Sequence, residues 1–162
     1  MKTYVLILSR TLQAKSTRKG EITNFDVQLL NAIWSAHNMN CVVPKYGMKL
    51  HSIRGNYDLW RKRFKQIDAG KAVLSIRYWT GKPYHSKQEE ICKLTRDDGI
   101  GLQVLNFYNG CLQQPIISSG MTINAELLAK NDGLSFESWQ DWFRKSDLLK
   151  PFAVIQFTKF RY

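Results

Sequence analysis

The stretch AVLSIRYWTGKPYHSKQEEICKLTRDDGIGLQVLNFY, residues 72–108, decides the fold class. β-branched, aromatic and aliphatic residues gather in three runs, Ala72 to Thr80, Glu89 to Thr95 and Leu102 to Tyr108. Gly81-Lys82-Pro83 breaks the first from the second, and Asp97-Asp98-Gly99 breaks the second from the third. Gly, Pro and Asp supply the backbone angles of tight turns, and short turns join antiparallel neighbours. Three antiparallel strands are therefore expected here.

Helical and extended patterns flank them. Tyr4-Val5-Leu6-Ile7-Leu8 is a continuous apolar run, as in a strand covered on both faces. Ser9 to Gly20 follows as a basic loop with Arg10, Lys15, Arg18 and Lys19. Thr23 and Asp26 stand at capping-box spacing before Phe25, Leu29, Ile33 and Ala36, which predicts a helix from about 24 to 36. His37 to Gly47 reads as a loop or a brief extended piece around Cys41-Val42-Val43. Trp60, Phe64 and Ile67 recur at i, i+4 and i+7, with Arg61, Lys62, Arg63 and Lys65 largely on the other faces. Ala125 to Lys130 forms a short helical stretch. Ser135 caps a stronger helix in which Trp139, Trp142 and Phe143 share a face, and Phe152 to Phe160 closes as a strand. Strands in the middle with helices around them give an α+β class with a mixed, barrel-like sheet.

The 162 residues fit one domain, with 5 Trp, 7 Tyr and 8 Phe among the side chains available for a core. Wholesale disorder is excluded by that apolar content. The longest uninterrupted apolar run is far short of the roughly 20 residues a bilayer span requires. Arg10 and Lys15 interrupt the pattern a secretory leader would need, so a cytoplasmic protein is expected. Cys41, Cys92 and Cys111 show no metal-ligand spacing, and no metal or cofactor is expected. The formal charge of +11 attracts polyanions, nucleic acid first among them.

Phosphate-loop, dinucleotide, zinc-protease and nucleophile-elbow motifs are all missing. What stands out is Lys49-Leu50-His51-Ser52-Ile53-Arg54. Strand alternation puts Leu50, Ser52 and Arg54 on one face and Lys49, His51 and Ile53 on the other, unless a twist beside Gly47 brings Lys49 round. Such a segment is either a solvated edge strand or a site in which Lys49 acts as base toward the Ser52 hydroxyl, with Arg54 gripping a phosphate or carbonyl. Cations and rings also interleave at Arg61 and Lys62 and again at Arg77, Trp79 and Lys82. That pattern suits single-stranded RNA, whose bases stack on exposed rings, and Trp79 beside a turn is the expected platform. Trp60 belongs to the apolar helix face and is expected in the core.

Gly47-Met48-Lys49-Leu50-His51-Ser52-Ile53-Arg54, then Gly70-Lys71, Asp132-Gly133-Leu134 before a Trp-containing helix, and a closing Val154-Ile155-Gln156-Phe157 strand resemble the ASCH family. Lys49, Ile53 and Arg54 match its G-x-K-x-x-T-I-R signature, and Ser52 stands where Thr is usual. The resemblance spans about residues 24–160 and implies a PUA-like fold, a small β-barrel with flanking helices and a cleft for RNA or a nucleoside. Residues 9–20 and 37–46 read as loop elaborations on that core. In small enzymes of the family the chemistry is amide hydrolysis of acetylated cytidine. Carried over, Lys49 would be the base, Ser52 the nucleophile and Asp132 the carboxylate, one methylene shorter than the Glu expected there. Arg54 would hold substrate. Two functions follow as expectations: an RNA- or nucleotide-binding module, or an amidohydrolase acting on a modified cytidine.

Overall fold

The computed structural model describes residues 1–12, 17–39, 43–118 and 120–162. Lys15 of the basic loop and Cys41-Val42 of the short extended piece lie outside the described residues. Eight strands and four α-helices follow in the order β1 (Lys2–Ile7), α1 (Phe25–Ala36), β2 (His51–Arg54), α2 (Tyr57–Asp68), β3 (Ala72–Trp79), β4 (Gln88–Leu94), β5 (Gly101–Phe107), β6 (Pro115–Ile117), β7 (Met121–Thr122), α3 (Ala125–Asn131), α4 (Phe136–Phe143) and β8 (Phe152–Gln156). The class is α+β. Among the described residues the strands form two sheets, β1-β3-β4 and β2-β8-β5-β6-β7, not one closed ring. No described helix is long and apolar enough to cross a membrane.

β3 is antiparallel to β4, as the Gly81-Lys82-Pro83 turn predicts. β5, however, leaves that sheet and pairs antiparallel with β6 and β8. The turn after β4 is a 3-10 turn, Arg96–Asp98, capped by Thr95 and followed by Gly99 at φ +77°. It redirects the chain instead of folding it back on its neighbour. β1 also departs from expectation: it is an edge strand, paired parallel to β3, with only Leu6 fully buried along it. The strand covered on both faces is β3, where Ala72 to Ile76 are all buried between β1 and β4 and beneath α2. Sequence alone cannot distinguish an edge from a centre strand in an apolar run, because neighbours set burial.

α2 follows its pattern. Trp60, Phe64 and Ile67 are its buried residues, and burying side chains of this size contributes about 1.5–3 kcal/mol each. The Asn56 side chain caps it by accepting from the Leu59 amide. α1 begins differently from a capping box: Asn24, at φ 55°, is the entry residue and makes no side-chain cap, while the Thr23 hydroxyl donates to the Ser9 carbonyl. That bond, a Thr11–Ile22 bridge and backbone bonds from Leu12 N–H to the Glu21 carbonyl and from Gly20 N–H to the Leu12 carbonyl fold the described part of the 9–20 elaboration into a hairpin-like excursion. Thr17 and Arg18 then reach Asp141 and Ser138 of α4.

Two apolar clusters fill the interior, one under α1 and α2 and the other under α3 and α4. Leu134 and Trp142 pack against both. β8 runs between β2 and β5 and is buried along its whole length. The backbone leading into β2 is stitched to the end of α3 and to α1 on this seam: Leu50 N–H donates to the Asn131 carbonyl at 2.8 Å, and Lys49 N–H to the Gln28 carbonyl at 3.0 Å.

Candidate functional site

Asn31, buried in α1, fixes the approach to the Lys49–Arg54 segment. Its side-chain amide donates to the Val43 and Gly47 carbonyls at 2.9 and 2.8 Å, and its oxygen accepts from the Val43 amide at 2.9 Å. Gly47 then turns at φ 70° and ψ −161°, a backbone region open almost only to glycine. Lys49 follows and points inward.

The Lys49 ammonium meets the Asp132 carboxylate at 2.6 Å and also donates to the Asp132 backbone carbonyl. It lies 4.0 Å from the centre of the Phe25 ring, an attraction of the cation to the ring face. Lys49 is 1 % and Asp132 5 % exposed. Burial pushes the lysine below its ordinary value and the carboxyl above its own, each partly opposed by the other's charge. Asp132 ends α3, and Gly133 after it adopts φ +81°. A Cβ there would stand 2.0 Å from Gln28 Oε1, so glycine is demanded twice over, by dihedral and by space.

His51 extends the cluster. It is fully buried, its Nδ1 is 3.8 Å from Asp132 Oδ1, and its Nε2 is 2.7 Å from the Tyr162 hydroxyl. The Asn131 amide donates to that same hydroxyl at 3.0 Å. The direction of the His51–Tyr162 bond follows the imidazole tautomer, and the buried Nδ1 makes no hydrogen bond with the described residues. Burial and the neighbouring Lys49 charge hold His51 well below its ordinary value, and burial raises the Tyr162 phenol.

The structure joins Lys49 with Asp132 and leaves Ser52 apart from them. Ser52 is buried, but it projects from the opposite side of β2 from His51, and its hydroxyl makes no hydrogen bond with the described residues. Arg54, on the Ser52 side, donates through Nη2 to the Ile7 carbonyl of β1, and its Nε is buried without a partner. Arg54 also lines a cavity of about 760 Å³ whose walls include Trp79, Trp142, Tyr84 and Leu12, with Lys19 at its lip. Lys49, Ser52 and Asp132 are not among its lining residues.

The other expected ligand-binding residues fall in different places. Trp79 is half-buried in the cavity wall, its ring 5.4 Å from that of Tyr84. Lys82 is exposed on the adjoining turn, where its carbonyl accepts from the Ser86 hydroxyl. Arg77 is engaged inside its sheet, with Nε donating to Ser75 Oγ at 2.8 Å and Nη2 at 3.6 Å from Glu90. Arg61 and Lys62 are exposed on α2. Arg61 pairs with Asp58 at 3.1 Å and borders a separate groove with Lys65 and Arg161. Trp60 is core, as its spacing predicts.

Tyr84 belongs to the strip in which cations and rings interleave, Lys19 reads only as part of the basic loop and Trp142 only as part of a helix face, and Tyr162 joins these sites with no signal in the sequence. Trp142 shares the apolar face of α4 with Trp139 and Phe143, so its periodicity signals core; its half-buried place between two clusters is a property of packing. Burial pushes the Cys92 thiol up to about 12, away from the thiolate that nucleophilic chemistry uses. Among the described residues no three His, Cys, Asp or Glu side chains gather to hold a metal ion. Comparison of the chain with family models, with curated proteins and with solved structures gives no match.

Proposed function

We propose that this chain is an RNA- or nucleotide-binding module of the ASCH type, with a PUA-like arrangement of its strands, acting in the cytoplasm. One observation carries the reading: the cavity of about 760 Å³ is walled by Trp79, Trp142 and Tyr84 and bordered by Arg54 and Lys19. Its size falls in the range that encloses small ligands, and rings with adjacent cations suit a nucleobase with its phosphate. The +11 charge supplies long-range attraction. The order of Gly47, Lys49, Ile53, Arg54, Asp132 and Gly133 supports the family assignment, and the free thiols of Cys92 and Cys111 suit a reducing compartment.

The test is binding of a labelled single-stranded RNA at two salt concentrations. Three neutralised phosphates give a slope of about −0.7 each on a logarithmic scale, so raising salt from about 50 to 200 mM weakens affinity by about 20-fold. Binding unchanged over that range would remove the electrostatic basis of the reading.

A second reading, supported by the Lys49–Asp132 contact and opposed by the place of Ser52 on the other side of β2, is an amidohydrolase that removes an acyl group from a modified cytidine, with Lys49 as base, Ser52 as nucleophile and Asp132 as carboxylate. Attack by Ser52 requires a base and an oxyanion stabiliser within reach of its hydroxyl. Release of acetate from acetylcytidine, lost in Ser52→Ala while the fold persists, would establish this reading over simple binding.

A further inference from the structure

At the seam of this fold buried Lys49 takes the Asp132 carboxylate, and half-buried Arg54 is left with none of its own among the described residues. Lys49 bonds Asp132, while Arg54 has the Ile7 carbonyl as its hydrogen-bond acceptor, no carboxylate within ion-pair distance among the described residues, and a buried Nε without an acceptor. A charge removed from water and left unpaired is costly, and the cost is relieved by an anion brought to it. The lining of the cavity beside Arg54 contains no Asp or Glu among the described residues, while Lys19 adds a second cation at the lip. Exposed groups, Tyr84 and Lys19, mark the mouth, and buried Leu12 marks the inner wall.

Resting on the binding reading above, we infer that the cavity is a site for a nucleoside monophosphate, its phosphate monoester on Arg54 and Lys19 and its ring against Trp79 and Trp142. A monoester carries about −1.5 to −2 charge at pH 7, which matches two cations without a carboxylate; an internal phosphodiester brings one negative charge and leaves one cation unanswered. A guanidinium is suited to the phosphate because it donates from a planar fork, and indole faces accept the ring. An uncharged nucleoside gains the stacking and leaves Arg54 as it is.

The experiment is calorimetric titration of the full chain with the four ribonucleoside 5′-monophosphates, their parent nucleosides and inorganic phosphate, beside a single-stranded RNA lacking terminal phosphates. At least one monophosphate is expected to bind tenfold or more tightly than its nucleoside and than phosphate alone. Lys19→Ala is expected to reduce that ratio severalfold, Arg54→Gln to abolish it, and Trp79→Ala to weaken nucleoside and nucleotide alike. Equal affinity for nucleotide and nucleoside, or a ratio indifferent to Lys19→Ala and Arg54→Gln, overturns the inference. If Arg54→Gln fails to fold, the wild-type ratio and the surface variant Lys19→Ala decide. RNA binding without monophosphate binding overturns this site and leaves the RNA reading standing. Monophosphate binding without RNA binding does the reverse, and loss of both removes both.

Discussion

Lys49 and Asp132, 83 residues apart in sequence, form a 2.6 Å ion pair sealed from solvent. The pair lies where the entry to β2 meets the end of α3, so it fixes one against the other. Burial acts on both partners in the direction of neutrality. Attraction in the interior therefore only partly offsets desolvation, as is usual for buried pairs.

Removing one partner leaves the other charged and unmatched. Lys49→Met or Asp132→Leu alone is expected to lower stability by about 3–5 kcal/mol, and the double variant to recover most of that loss. Urea denaturation of the three variants checks this. A double variant no more stable than the worse single one would mean that the pair stabilises by more than its own neutralisation.

How much of this was legible follows from what each residue's role depends on. α2 was readable because Trp60, Phe64 and Ile67 announce one buried face by spacing alone. The strands of residues 72–107 were readable as strands, but the departure of β5 to a second sheet depends on the turn at Arg96–Asp98 and on β8, which lies about fifty residues further on. Alternation placed Lys49 and His51 on one side and Ser52 and Arg54 on the other, and the structure keeps that division. The His51–Tyr162 contact joins residues 111 apart, and no local pattern encodes it.

His51 carries a pH prediction with a definite sign. Its folded value lies well below the ordinary 6.5 because burial disfavours the imidazolium. The unfolded chain therefore takes up a proton below 6.5 that the folded chain refuses, and stability falls as the pH is lowered from 6.5 toward the folded value. The slope is about 1.4 kcal/mol per pH unit from this one group. His51→Gln removes the contribution, so the difference in unfolding free energy between wild type and variant should narrow by that amount per unit between pH 6 and about 5. Parallel curves over this range would show that His51 is charged in the fold.

Gly133 and Gly47 test two different reasons for glycine. At Gly133 an added Cβ meets Gln28 Oε1 at 2.0 Å and Lys49 Cβ at 3.3 Å; at Gly47 it meets nothing within 4 Å. Both residues have positive φ. Alanine at either is expected to cost about 1–3 kcal/mol from the dihedral alone, with an added steric part at 133. Gln28→Ala should rescue part of the Gly133→Ala loss and none of the Gly47→Ala loss. Thermal melts of the double variants measure the difference.

Ser52 separates the two functional readings with one atom. Ser52 is buried and its hydroxyl bonds no described residue, so Ser52→Ala deletes no hydrogen bond to them and is expected to change stability by less than about 1 kcal/mol. The fold and the Trp79 cavity persist in that variant, and binding of RNA or nucleotide should match the wild type. If acetylcytidine is hydrolysed, Ser52→Ala must abolish turnover, while Ser52→Thr, which keeps the hydroxyl, should retain part of it. Turnover that survives Ser52→Ala would place the nucleophile elsewhere. A Ser52→Ala protein with weakened RNA binding and intact stability would instead make the hydroxyl a ligand contact, on the same face of β2 as Arg54.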